Sequence, residues 1–298
     1  MGRSEPFRTF LTSAIFEEEK EMLYPRILTV QDISCVGQCS LTVALPILSA
    51  CQSECCILPS AVLSTHTGGF SGFTFRDLTD DIPKIRSHWE KENISFHAIY
   101  TGYLGSEKQI GFVKDLFDSP IAKDAKIIVD PAMGDNGKLY TGFNTAYAKQ
   151  MGTLCNEADV ILPNITEACF MTGYPYAERY DMPYIHGLLD ALFQLNPKQI
   201  ILTGVSLEKD FTGVITADKK GTAYYQHKKI EKSFHGTGDI YASAFTGAWM
   251  HGLSLEKAAK IAADYTVSCI EKTLADATHW YGVKFELALP ELIQMLQI

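Results

Sequence analysis

From residue 26 onward, short apolar runs recur along the chain, each closed by turn or polar residues and separated from the next by a longer helical stretch. "RILTVQ" and "ECCILPS" flank a helical segment over 37–51, and "FHAIYTGYLG" follows the amphipathic "DDIPKIRSHWEKEN". "AKIIVDPAMGD", "ADVILPNITEA" and "KQIILTGV" come next, with helical sequence between them. Unbroken apolar runs of this length predict strands buried on both faces, as in a parallel sheet. Their alternation with helices predicts a doubly wound α/β fold. After residue 205 the rhythm changes: "FTGVITAD" and "TAYYQHKKIE" read as antiparallel strands joined by the turn-prone "DKKG", and 239–298 is mostly helical. The expected architecture is therefore a mostly parallel central sheet covered by helices on both faces, with antiparallel edge strands.

No internal repeat, low-complexity tract or linker interrupts this pattern, so 24–298 reads as one domain. Residues 1–23 stand apart as an N-terminal extension, with Met22 as an alternative start. The short "FLTSAIF" followed by the acidic "EEEKE" does not make a secretory signal.

The formal charge of −9 over 298 residues, with no lysine-arginine block, excludes the electrostatic footprint of a nucleic-acid binder and disfavours an anionic membrane surface. An anionic substrate then needs a local site with a metal ion. No apolar stretch approaches the ~20 residues that span a bilayer. The eight cysteines show no CxxC pair, and most lie in apolar runs, which points to buried thiols in a reducing cytoplasm.

In an open α/β sheet the ligand lies beyond the carboxyl ends of the strands, so the residues after each run matter most. They are Thr101, Gly102 and Tyr103; Asp130, Pro131, Gly134, Asp135 and Gly137; Pro163, Asn164, Thr166 and Glu167; and Thr203 and Gly204. Jointly these clusters suggest a nucleotide site, although Asn164 with Glu167 also fits a capping box. In "FHGTGDIYASAF", Gly236, Thr237, Gly238 and Asp239 stand directly before a helix. Glycines there let free helix-start amides approach an anion, and the aspartate is placed to accept a proton from an attacking hydroxyl. The alternative is an ordinary glycine turn with an N-terminal acid. Ala242, Ala244, Gly247 and Ala248 keep that helix slim. Neither GxGxxG nor GxxxxGK[ST] occurs there.

"HGTGD", "DPAMGD", "PNITEA", "THTG" and "TGYLG" together resemble the ribokinase-like superfamily, and within it the pyridoxal/pyridoxamine kinases, over most of 26–290. The resemblance implies ATP-dependent phosphorylation of the 5′-hydroxymethyl group of a vitamin B6 vitamer by a cytoplasmic homodimer. Asp239 matches the family's catalytic base, and the amides of Gly236, Thr237 and Gly238 match its anion hole. Asp135 and Glu167 match acidic residues around the magnesium-nucleotide, partly through water, with room for a monovalent cation. Asn164, Thr203 and Gly204 fall at nucleotide-phosphate contacts, and Asp130 opens the "DP" loop. Thr67, Tyr103 and Leu63 match the pyridine pocket, and Tyr140 matches a tyrosine facing the reaction centre. Two positions depart from the pattern. Asp32 stands where serine is common, which resembles the hydroxymethylpyrimidine kinases, and His235 replaces a small apolar residue. A hydroxymethylpyrimidine kinase, or a non-catalytic vitamer-binding protein on the same fold, are the alternatives.

Overall fold

The computed structural model describes residues 24–156 and 158–297, so the extension over 1–23 lies outside the described residues. The strands are β1 (Arg26–Ser34), β2 (Glu54–Leu63), β3 (Phe75–Asp77), β4 (Ala98–Thr101), β5 (Lys126–Val129), β6 (Gly134–Asp135), β7 (Lys138–Leu139), β8 (Val160–Ile161), β9 (Gln199–Val205), β10 (Phe211–Asp218) and β11 (Gly221–Lys228). Nine of them form one sheet in the order β11-β10-β9-β8-β5-β4-β1-β2-β3, and β6 and β7 make a separate hairpin. The six strands from β9 to β2 in that row are parallel. At the two edges β3, β10 and β11 run antiparallel to their neighbours.

Helices α1 (Leu41–Ala50), α2 (Ile82–Lys91), α3 (Glu107–Phe117), α4 (Thr145–Cys155), α5 (Ile165–Thr172), α6 (Met182–Phe193), α7 (Thr237–Met250), α8 (Leu255–Leu274) and α9 (Leu289–Leu296) cover both faces. Successive strand residues point to opposite faces, so each buried strand feeds two cores. Leu28, Ile99, Val129 and Leu202 pack with α2–α6. Ile27, Ala98, Ile128 and Ile201 pack with α1, α7, α8 and α9. This is why the runs read as continuously apolar.

β1 pairs with β2 on one side and β4 on the other. The chain crosses from β1 to β2 through α1 on one face and reaches β4 through α2 on the opposite face. The strand ends diverge at such a switch point and leave a crevice.

Two details differ from expectation. The helix predicted over 37–51 starts only at Leu41, because Gly37 (φ 108°), Gln38 (φ 22°) and Ser40 (φ 54°) hold a left-handed turn before it. The run "ADVIL" keeps only Val160 and Ile161 as strand. Pro163 has no amide to extend the ladder, and the Asp159 carboxylate turns back to accept from the Ile127 amide (2.9 Å) and Lys198 Nζ (2.7 Å). In "HTGGFSGFTF", Phe73 and Phe75 are exposed, while Phe70 packs on His66 (5.0 Å between ring centroids) and Trp280 (4.7 Å). All eight cysteines are free thiols, of which Cys51, Cys155, Cys169 and Cys269 are buried.

Candidate active site

The carboxyl edge of the sheet gathers most of the expected residues into two groups with α7 between them. On one side stand Asp32 at the end of β1, Leu63 at the end of β2, Thr67 in the following loop, and Tyr103 just after β4. On the other stand Asp130 after β5, Asp135 in the β6–β7 hairpin, Asn164 after β8, Glu167 in α5, and Thr203 and Gly204 in β9.

Gly236 is the N-cap of α7 in the left-handed conformation (φ 78°), and no side chain caps the helix there. A β-carbon on Gly236 would lie 2.1 Å from the Gln38 carbonyl oxygen, so only glycine lets the 35–40 turn pass beneath the helix start. A β-carbon on Gly238 would meet nothing within 4 Å, so its outer side is open. The first amides of α7, those of Thr237, Gly238 and Asp239, therefore form an unobstructed positive helix end.

Asp239 is half-buried, on the first turn of α7. Desolvation pushes its pKa up to about 7, the Ser40 backbone amide opposes that rise, and the charge of Asp32 adds to it. Asp32 is 4% exposed and accepts a hydrogen bond from Ser34 Oγ (2.8 Å). Burial raises its pKa, against the Ser40 and Ser34 hydroxyls. Its carboxyl is thus turned inward to hold the 32–40 turn rather than offered as a free anion. Leu63 is buried beside Ser34, and Thr67 is exposed. Tyr103 is partly buried, 5.5 Å from the Phe143 ring. Burial, then the charge of Asp32, raises the pKa of its phenol.

Asn164 and Glu167 do form a capping box on α5: Asn164 Oδ1 accepts from the Glu167 amide (2.9 Å) and Glu167 Oε2 from the Asn164 amide (2.9 Å). The remaining atoms reach further. Glu167 Oε1 accepts from the Met133 amide (3.1 Å), and Asn164 Nδ2 donates to the Gly134 carbonyl (2.8 Å). The box therefore ties the "DPAMGD" loop to α5. Asp130 is 7% exposed. Burial, then the nearby Glu167 and Asp239 charges, holds its carboxyl well above the usual range. Burial also pushes the Glu167 carboxyl up to about 8, against the Asn164, Met133 and Gly134 amides. Asp135 is exposed and accepts from the Asn136 amide (2.8 Å) and side chain (2.9 Å). Tyr140 is 45% exposed. Burial of its phenol raises its pKa, with further upward pushes from Glu167, Asp135, Asp130 and Asp239. The Thr203 amide donates to the Pro163 carbonyl (2.9 Å), and Gly204 takes φ 69° with open space beside it.

Among the described residues no three His, Cys, Asp or Glu side chains converge on one point. Both Glu167 oxygens already accept from amides. This donor set fits Mg²⁺, which keeps much of its water and binds through one or two carboxylates plus substrate phosphates. A closed protein cage is not what such a site requires. Sequence reasoning missed the 35–40 turn, whose Ser40 amide supports Asp239. Its signal was Ser40 before the apolar "LTVALP", a helix-start pattern that puts the preceding residues outside the helix.

The sequence profile of phosphomethylpyrimidine kinases matches residues 71–283. A Bacteroides thetaiotaomicron protein provisionally named a phosphomethylpyrimidine kinase is 38% identical, with a TM-score of 0.86 over 90% of this chain and 94% of its own. A second crystal form of it contains pyridoxal. The pyridoxal kinase of Lactobacillus plantarum is 30% identical, with a TM-score of 0.84 over 91% of this chain and 97% of its own. The probable thiamine biosynthetic bifunctional enzyme of rice is 22% identical over 84% of this chain, which spans 45% of that longer protein. No helix among the described residues is long and apolar enough to cross a membrane. The profile and these solved structures agree, and the chain belongs to the phosphomethylpyrimidine kinase family on a ribokinase-like fold.

Proposed function

We propose that this chain transfers the γ-phosphoryl group of ATP to the 5′-hydroxymethyl group of a vitamin B6 vitamer: pyridoxal, pyridoxamine or pyridoxine. The observation that carries the reading is Asp239, a carboxylate with a pKa near 7 on the first turn of a helix whose free amides face open space. A base near neutrality is matched to proton removal from an alcohol. A helix start of this kind suits the phosphoryl oxygens.

The vitamer lies on the Leu63–Thr67–Tyr103 side and the nucleotide on the Asp130–Asn164–Thr203–Gly204 side. Asp239 takes the hydroxyl proton as that oxygen bonds the γ-phosphorus, and the bond to the bridging oxygen of ADP breaks. The amides of Thr237 and Gly238 hold the charge on the transferring group, and Tyr140 closes the acidic side. Asp135 and Glu167 would hold Mg²⁺, largely through water, and the ion would neutralise phosphate charge when bound. The relatives named after pyridoxal, and the pyridoxal found with the Bacteroides protein, support this substrate class. A homodimer and a cytoplasmic location belong to the same reading by family resemblance, as does one domain over 24–298.

A second reading is a hydroxymethylpyrimidine kinase, favoured by the family profile and by Asp32 at the serine position. The test is incubation with Mg-ATP and pyridoxal, with mass-spectrometric detection of the phosphorylated vitamer and Asp239→Asn as control. Absence of product with every vitamer, beside product with hydroxymethylpyrimidine, would install the second reading. Binding of vitamers with no ATP consumption would leave a non-catalytic binder.

A further inference from the structure

Between α5 and α6, residues 173–181 form neither helix nor strand, yet they carry Tyr174, Tyr176 and Tyr180, with Tyr184 following on the first turn of α6. A segment without a backbone ladder has to be held by side chains. Tyr184 does part of this. Its hydroxyl donates to the Pro175 carbonyl (2.8 Å), and its ring meets Tyr174 edge-on (5.2 Å between centroids) and stacks on Tyr180 (5.6 Å). The Tyr180 hydroxyl, by contrast, leaves the segment altogether. It accepts from the Ser206 amide (2.9 Å) and reaches the Gly204 carbonyl at 3.4 Å.

Gly204 lies where the ladder between β9 and β10 slips. Gly213 pairs with Val205 and Val214 with Thr203, so Gly204 has no residue opposite it. With φ at 69° it is the glycine of a β-bulge, a device that disrupts the ladder locally and re-aims the groups beside it. Backbone groups turned out of a ladder need other partners. Tyr180 takes the Ser206 amide and the Gly204 carbonyl, and Tyr224 on β11 donates to the Val205 carbonyl (3.3 Å). Just before the bulge, Thr203 bridges Asn164. The shape of 203–206 is therefore set by tyrosine hydroxyls from two other segments as well as by the sheet. Phenylalanine at 180 would stack on Tyr184 equally well, so it is the hydroxyl that packing does not call for. The same segment also touches the acidic side. A β-carbon on Gly137 would lie 2.7 Å from Tyr176 Cε1, so that ring rests against the turn of the β6–β7 hairpin.

We propose that Tyr180 is a positioning residue for the nucleotide: its hydroxyl fixes the bulged 204–206 turn in the conformation that the nucleotide phosphates meet at Thr203 and Gly204. The inference rests on the reading of Thr203 and Gly204 as the nucleotide edge, and it is independent of which alcohol is phosphorylated. Tyr180 acts through the turn. Holding that turn before the nucleotide arrives removes an ordering cost that binding would otherwise carry.

The test is calorimetric titration with Mg-ADP. Tyr180→Phe should raise the Kd about fivefold, the size of one ordinary hydrogen bond, and the KM for ATP should rise with it at unchanged kcat. Tyr184→Phe, whose lost bond to Pro175 stays within the segment, should lower the melting temperature and leave the Kd where it was. A Tyr180→Phe protein that melts early but binds Mg-ADP like the wild type overturns the proposal, as does an equal loss of affinity in Tyr184→Phe. Should Tyr180→Phe not fold, hydrogen exchange of the Ser206 amide in the wild type decides. By reciprocity, saturating Mg-ADP should slow that exchange about fivefold, and an unchanged rate overturns the proposal. A wild-type protein that binds no Mg-ADP would remove the nucleotide reading of this edge and the inference with it. Normal wild-type binding beside unchanged affinity in Tyr180→Phe counts against the tyrosine alone.

Discussion

Substituting alanine for either glycine of "GTGD" should produce opposite failures. At Gly236 the backbone is left-handed (φ 78°), and a β-carbon would lie 2.1 Å from the Gln38 carbonyl oxygen and 3.3 Å from Cys39 Sγ. The left-handed conformation costs alanine about 1–2 kcal/mol. The closest contact is a main-chain carbonyl, so relief requires moving either the 35–40 turn or the start of α7 by about 1 Å, at an overpacking cost of about 1–3 kcal/mol. A total of about 2–5 kcal/mol should lower the melting temperature by roughly 4–10 °C, taking about 2 °C per kcal/mol for a chain of this size. The same shift displaces the amides from the phosphoryl group, and misplacement by 1 Å can cost about 10²-fold in rate. Gly238→Ala should melt like the wild type, because its β-carbon meets nothing within 4 Å. Its new methyl projects into the space a phosphoryl group would need, so its loss should appear in kcat. Calorimetry paired with a coupled ADP-release assay reads both. A Gly236→Ala protein with wild-type melting and wild-type kcat would refute the reasoning about this turn.

Asp239→Asn should lower kcat by roughly 10²–10⁴ through loss of general-base help while ATP still binds in calorimetric titration; near-normal turnover would reduce Asp239 to a helix-start acid. Glu167→Gln should lose one of its two amide bonds, destabilise the protein by about 1–3 kcal/mol and raise the Mg²⁺ concentration for half-maximal rate; earlier melting with unchanged Mg²⁺ dependence would leave only the cap. Asp32→Ser should lower kcat/KM for pyridoxal and pyridoxamine alike, by roughly tenfold, since its carboxyl organises the 32–40 turn; loss confined to pyridoxamine would show that it meets the amine. Burial raises the pKa of both Asp239 (to about 7) and Asp130. The folded state therefore binds more protons than the unfolded one between about pH 4 and 7, and stability from these groups is lost as pH rises through their folded values. The unliganded protein should melt at higher temperature at pH 6 than at pH 8, and Asp130→Asn should flatten that dependence.

The strand runs were legible because both cores demand apolar residues at consecutive positions, as Ile27 and Leu28 or Ile200 and Ile201 show. The antiparallel β10–β11 hairpin was legible from its turn, and Asp218 accepts from the Lys220 amide (2.7 Å) as such turns require. The order of strands was not legible, since no local pattern says that β4 pairs with β1 rather than β2. The site was legible where chemistry follows a strand end, as with Asp130 or Tyr103. It was not legible where a backbone conformation does the work. The left-handed Ser40 that brings its amide to Asp239, and the inward turn of Asp32 toward Ser34, depend on packing between segments far apart in sequence. Glu167 shows a third case, in which one carboxylate satisfies the capping pattern and also ties down the Met133 amide.

The central claim is the substrate. It is tested most directly by measuring kcat/KM for pyridoxal, pyridoxamine, pyridoxine and hydroxymethylpyrimidine with one preparation at saturating Mg-ATP. At least one B6 vitamer should exceed hydroxymethylpyrimidine by tenfold or more, about 1.4 kcal/mol of transition-state preference, and Asp239→Asn should abolish the difference. A preference for hydroxymethylpyrimidine of the same size would contradict it.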